Sequence, residues 1–238
     1  MLAFRSRAFD ILIGLWTGLF GLFIPFLLTA GPKRLRAVSR LWASGVLWLL
    51  RYVVGLDYRE IGLENRPKEA CLIVCNHQST WETIALLSLF PDVAVVAKEE
   101  LLNIPIFGWY LRKSPMITID RESGTQAFRR MVEGAKTALS EGRSVLLFPE
   151  GTRRPPDTPI AFKRGVEMLC DRLDVAILPV VVDSGRFWGI ENKPRRAGMI
   201  TVSSLPALHS GPKGSELMRA AMDAMEAERL RMAAVAAG

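Results

Sequence analysis

Histidine and cysteine are scarce in this chain, at two and three residues in 238. An odd cysteine count argues against a disulfide framework. Cys71 and Cys75, if they share one strand, stand ~13 Å apart, too far to bridge. Cys170 is isolated in the sequence. All three read as reduced thiols of a cytosolic environment, with no metal site. A Gly-x-Ser-x-Gly elbow is missing, so no hydrolase-type serine nucleophile is expected. Zinc-finger spacings and RNP-like aromatic motifs are missing too, which leaves nucleic acid without support as a partner. There is no internal repeat and no low-complexity tract.

What is abundant points elsewhere. Half of the residues are hydrophobic, the mean hydropathy is +0.20, the formal charge is +7 and the pI is about 9.7. A basic and unusually apolar chain suits an anionic membrane surface or a phosphorylated substrate. The length fits one α/β domain with a small appendage.

That appendage is expected at the N-terminus. Ile11 to Ala30 carries no charge over 20 residues, enough to cross a bilayer core of ~30 Å. A second apolar stretch, Leu41 to Leu50, lies between Arg40 and Arg51 and is too short to span alone. The linker between them holds Lys33, Arg34, Arg36 and Arg40, a composition that stays on the cytoplasmic side or against anionic headgroups. Trp16, Trp42 and Trp48 fall in the same region, as at a membrane interface. A signal peptide is disfavoured by the long apolar run without an Ala-x-Ala-like site; a buried core helix is the other alternative. The expectation is a membrane-anchoring pair of helices over residues 1–55, the first deeply inserted and the second interfacial. A catalytic domain follows over 56–238.

From about Leu56 onward, short Val/Ile/Leu-rich runs alternate with helical stretches. Strands are expected at Tyr58–Ile61, Leu72–Cys75, Val93–Ala97, Met116–Ile119, Val145–Phe148, Val175–Val182 and Met199–Ser203. Helices are expected at Gly124–Glu141, stopped by Gly142, and at Arg164–Leu173 and Ser215–Arg231. This alternation predicts an α/β fold with a mixed, largely parallel sheet flanked by helices. Ligands of such sheets bind beyond the carboxyl ends of the strands. His77, Lys98, Asp120–Arg121 and Glu150–Arg153 each follow a predicted strand.

Among these, Asn76-His77-Gln78-Ser79-Thr80-Trp81-Glu82 stands out. Histidine ionises near neutral pH, and a neighbouring carboxylate can fix its tautomer and stabilise its charged form. On one regular helix, positions five apart differ by about 140° and do not meet. A turn at His77 followed by a helix from about Ser79 would bring Glu82 back to it. Ser79-Thr80-Trp81-Glu82 is equally a capping box, with Glu82 reaching back to the helix start.

His77-x4-Glu82 together with Phe148-Pro149-Glu150-Gly151-Thr152-Arg153 resembles the glycerolipid acyltransferase family. Gly108 through Ile119-Asp120-Arg121 and Ile177-Leu178-Pro179-Val180 supply two further blocks in the family's order. The resemblance covers roughly Ala70 to Ser184. The family usually places an aspartate where this chain has Glu82, so the carboxylate sits on a stem one methylene longer.

The resemblance implies acyl transfer from an acyl thioester to the sn-2 hydroxyl of 1-acyl-glycerol-3-phosphate (lysophosphatidate), giving phosphatidate. It implies His77 as general base oriented by Glu82, and no enzyme nucleophile. Arg121 and Arg153 would bind the substrate phosphate, with Lys98 a further candidate. Glu150 would position Arg153 or the glycerol, and Gly151 and Thr152 would shape the loop. No cofactor or metal is implied. The donor would be acyl-carrier protein or coenzyme A thioester, the partners membrane lipids, and the location the cytoplasmic face of a bacterial inner membrane. The alternatives are an acyltransferase for another lysolipid, such as lyso-ornithine lipid, and a non-catalytic membrane lipid-binding protein. His209 lies outside every block.

Overall fold

A computed structural model of the protein describes residues 2–114, 116–120, 124–190, 193–209 and 214–237. Its frame is a seven-stranded sheet in the order β1-β7-β6-β2-β5-β3-β4. The strands are β1 (Leu56–Ile61), β2 (Leu72–Cys75), β3 (Ala94–Lys98), β4 (Ile117–Ile119), β5 (Val145–Leu147), β6 (Ile177–Val182) and β7 (Gly198–Ser204). All pairings are parallel except β6 with β7. The five strands from β6 to β4 therefore point the same way. Their carboxyl ends collect at one edge, while β1 and β7 run opposite.

Every residue of β2, β5 and β6 is buried, because helices cover both faces of the sheet. The period-two alternation of a strand sorts the side chains into two cores. Ile73, Cys75, Leu146, Leu178 and Val180 face one cluster, which includes Trp81 and Leu86 of α4 (Trp81–Leu89). Leu72, Val74, Val145, Leu147 and Ile177 face the other, packed under α6 (Gly124–Ser140), α7 (Arg164–Cys170) and α8 (Gly214–Ala237). Near-continuous Val/Ile/Leu runs are what a sheet buried on both sides requires. Gly142, at a φ of 73°, follows α6 as the stop residue.

The first face is completed by the N-terminal helices. α1 covers Leu2–Leu22, α2 is the short Ile24–Leu27 and α3 covers Pro32–Leu49, with Pro32 at its first position. A π-helical turn over Leu50–Val54 leads to Gly55 in the left-handed region and then β1. α5 (Phe107–Lys113) lies against α3. Phe9, Ala43, Val46 and Leu50 are fully or almost fully buried in the same cluster as the sheet residues. Arg195, before β7, clamps the start of α1. It pairs with Asp10, donates to Ser6 Oγ at 3.0 Å and stacks over Phe9 and Trp188.

The apolar run from Ile11 to Ala30 is not one helix. α1 starts at Leu2, so it includes Arg5, Arg7 and Asp10 and uses only the run's first 12 residues, about 18 Å of rise. Pro25 has no N–H to continue the helical ladder, and the chain breaks beyond Leu22. Among the described residues no helix is long and apolar enough to cross a membrane. The outer faces of the helices are nevertheless apolar. Ile11, Leu15, Leu22, Phe23, Phe26 and Trp48 are exposed, Phe26 at 81%.

Candidate active site

The site is built where β2 ends. Asn76 is buried and grips the neighbouring strand: its Nδ2 donates to Val182 O at 2.9 Å and its Oδ1 accepts from Val182 N at 2.8 Å. This holds the departing chain against β6 and turns His77 away from the sheet. The His77 ring then stacks on Phe148, centroids 4.3 Å apart, at the end of β5.

His77 Nδ1 lies 2.8 Å from Glu82 Oε1. Glu82, on the first turn of α4, has no exposed surface. Its Oε1 also accepts from the N–H groups of Gln78 at 2.7 Å and Ser79 at 2.6 Å. Its Oε2 accepts from the hydroxyls of Ser79 at 2.7 Å and Ser184 at 2.6 Å. Burial pushes the Glu82 carboxyl up, yet the hydrogen bond and charge of His77, with Ser184 and the Ser79 N–H, hold it below its ordinary value. An ionised carboxylate only accepts hydrogen bonds, so Nδ1 carries a hydrogen, and the neutral imidazole then has its lone pair on Nε2.

The capping and base-orienting arrangements coexist. Ser79 Oγ accepts from Trp81 N at 2.9 Å, and Glu82 takes the Ser79 N–H as a capping box requires. The oxygen that closes the cap is also the one that meets His77. A cap of this kind orders the turn on which the imidazole sits.

The loop after β5 is tied to the same turn twice. His77 N donates to Glu150 Oε2 at 2.7 Å, and Arg154 N donates to His77 O at 2.7 Å. Glu150 is thus buried and directed at the His77 backbone, and Arg154 is the cation whose charge it feels. Gly151 sits at a φ of 68°, a left-handed conformation that favours glycine, and a Cβ there would push the Lys163 side chain aside. Thr152 and Arg153 lie between the two ties and are exposed. Lys98 ends β3, is exposed and pairs with Glu100. Arg121 lies outside the described residues.

Thiol chemistry is disfavoured. All three cysteines are buried and free. Burial drives the Cys75 thiol well up and raises Cys170 to about 11, whereas a reactive thiolate needs a lowered value. No group of three His, Cys, Asp or Glu side chains suited to a metal ion occurs among the described residues.

A half-buried His on a turn with a buried carboxylate behind Nδ1 is an arrangement chemically capable of taking a proton from a hydroxyl. The acyltransferase family model matches residues 58–183. The chain belongs to the acyltransferase family. It is 37% identical over 181 residues to the 1-acyl-sn-glycerol-3-phosphate acyltransferase of Pseudomonas aeruginosa, covering 76% of this chain and 70% of that one. It is 32% identical to the enzyme of that name from Saccharomyces cerevisiae over 57% of this chain and 46% of that one. In fold, the acyltransferase matches the crystal structure of the 1-acyl-sn-glycerophosphate acyltransferase of Thermotoga maritima. That match has a TM-score of 0.79 at 21% identity, over 97% of this chain and 95% of that one.

Several of the acyltransferase's site residues escape a reading of the sequence. Ser184 lies 102 positions from the carboxylate it holds, and no local pattern marks it. Phe148 reads as a strand residue, and its service as the platform for His77 needs the β2–β5 pairing. Asn76 was visible only as a neighbour of the histidine.

Burial raises the Glu150 carboxyl from 4.5 to about 7. A folded chain that keeps this proton is most stable relative to the unfolded chain below about pH 4.5. It loses up to about 3 kcal/mol of that advantage as the pH rises to about 7. Glu150→Gln keeps an acceptor for the His77 N–H and removes the titration. Denaturant midpoints are expected to diverge in favour of the variant between pH 4.5 and pH 7.5. A constant difference across that range would show that Glu150 titrates as an ordinary carboxylate.

Proposed function

We propose that this protein transfers an acyl group from a thioester to the sn-2 hydroxyl of 1-acyl-glycerol-3-phosphate, forming phosphatidate. The observation that carries the reading is the His77–Glu82 pair at the carboxyl edge of the sheet, beside the exposed Arg153. The names of the Pseudomonas and yeast relatives favour the same acceptor.

His77 Nε2 takes the hydroxyl proton as the oxygen attacks the thioester carbonyl carbon. Glu82 stabilises the imidazolium through Nδ1–H. When the tetrahedral intermediate collapses, the C–S bond breaks and the imidazolium returns its proton to the departing sulfur. No covalent acyl-enzyme is required. Arg153 supplies paired N–H donors for the acceptor phosphate, and Arg121 shares that task.

Both the acceptor and the product are lipids, and the exposed apolar face of α1–α3 suits one leaflet of a bilayer. Leu22, Phe23, Phe26 and Leu28 would enter the acyl boundary, while Lys33 and Arg34 at the start of α3 meet anionic headgroups. The protein then lies at the membrane, on its cytoplasmic face.

The test is a purified-protein assay with acyl-coenzyme A and a panel of acceptors. Phosphatidate formation is expected with lysophosphatidate. Transfer to lyso-ornithine lipid alone, or no thioester consumption at all, would overturn the reading. Arg153→Ala is expected to raise the KM for lysophosphatidate roughly 10–100-fold, the worth of one charged hydrogen-bond contact, with kcat little changed. An unchanged KM would remove Arg153 from the phosphate site.

A further inference from the structure

The carboxyl edge of the sheet has two flanks around His77. Sheet order puts β5, β3 and β4 on one side of β2 and β6 on the other. The residues assigned to the acceptor, Arg153, Lys98 and Arg121, all follow strands of the first side. On the β6 side the chain leaves Val182 through the 3-10 turn Ser184–Arg186 and opens a cleft of about 810 Å³.

The cleft reaches the reacting centre through its floor. Gln78, the residue after the base, lines it together with Gly185. Gly185 N donates to Gln78 Oε1 at 3.1 Å, joining the floor to the turn that carries Ser184 and so to Glu82. Pro155, Pro156 and Phe187 form apolar walls. Among the described lining residues, Arg186, Lys193 and Arg196 are the cations and Asp157 the carboxylate. Arg196 and Lys193 are exposed and Arg186 is half-buried. Arg186 and Arg196 at the mouth, apolar walls and a polar floor beside His77 describe a site for a slim chain ending in phosphate.

We propose that this cleft receives the phosphopantetheine arm of the acyl donor, with the phosphate at the Arg186–Arg196 rim and the thioester at Gln78. The proposal rests on the acyl-transfer reading above. It brings the thioester to Gln78, the neighbour of His77, along a cleft that the loop after β5 also lines through Pro155 and Pro156. Coenzyme A and acyl-carrier protein share this arm, so the cleft fits either. The rim cations would meet the nucleotide phosphates of the first or the acidic surface of the second.

The full-length Arg186→Glu/Arg196→Glu double variant tests it with three donors: acyl-coenzyme A, an acyl-carrier-protein thioester and acyl-N-acetylcysteamine, which lacks phosphate. The KM for at least one phosphate-bearing donor is expected to rise roughly tenfold or more, as when a charge-assisted contact is lost. The KM values for acyl-N-acetylcysteamine and lysophosphatidate should stay unchanged, which also shows that the variant folds. A rise confined to the carrier-protein thioester makes the carrier the donor that the rim reads; a rise confined to coenzyme A makes it the nucleotide. Unchanged KM values for both donors, or a rise in the lysophosphatidate KM in their place, would overturn the cleft assignment. If the wild type transfers no acyl group to lysophosphatidate, the acyl-transfer reading fails by itself. Calorimetric binding of coenzyme A and carrier protein to wild type and double variant then judges the cleft separately: weaker binding of either by the variant supports it, and equal binding of both overturns it.

Discussion

His77→Ala is expected to lower acyl transfer to lysophosphatidate by roughly 10²–10⁴-fold, the usual contribution of a positioned general base, while the protein still folds and still associates with membranes. The substitution removes the Nε2 lone pair proposed to take the hydroxyl proton. It leaves the architecture in place, because the ties to Glu150 Oε2 and from Arg154 N use the His77 backbone, which alanine retains. Glu82 keeps four of its five donors. Thioester consumption measured beside a thermal melt and a vesicle-sedimentation assay checks both halves. Turnover close to wild type in a folded variant would remove His77 from the mechanism.

Glu82→Gln is expected to cost nearly as much, for a different reason. The glutamine carbonyl can still accept from His77 Nδ1 and the two backbone N–H groups. Its amide can face Ser79 Oγ and Ser184 Oγ, whose hydroxyls rotate to accept. The shape of the site survives and the negative charge behind the imidazole does not. A roughly 10²–10⁴-fold fall in kcat is expected, since the imidazolium formed in the rate-determining step loses its counter-charge. Glu82→Asp keeps the charge on a shorter stem, and its activity should stay within an order of magnitude of wild type. Equal activity of the Gln and Glu forms would reduce Glu82 to a helix cap.

Much of the site edge was legible because buried parallel strands announce themselves as Val/Ile/Leu runs. The expected Leu72–Cys75 coincides with β2, and the expected Gly124–Glu141 differs from α6 by one residue. The polar residues that end such runs therefore gather at one edge on sequence grounds alone. Two things resisted this reading. The N-terminal run looked like one long apolar helix, because hydropathy does not register where Pro25 interrupts the hydrogen-bond ladder or that α1 begins nine residues earlier, among charges. The resemblance implies that Glu150 positions Arg153 or the glycerol; in the structure its Oε2 accepts from the His77 N–H, a contact fixed by the approach of two loops 73 positions apart. Spacing along a chain carries helix and strand periodicity; it carries nothing about which distant loop will present a donor.

The pairing of β1 bears on the timing of synthesis. Its partner in the sheet is β7, with Leu56 beside Gly198, 142 residues downstream. At about 5–20 residues per second, roughly 7–30 seconds pass between the emergence of the two strands from a ribosome. Within that interval α1 and α3 gain β2, β5, β6 and α4 to pack on, since these share their cluster and emerge before β7. Only β1 waits for a partner, so its edge of the sheet is the last to close.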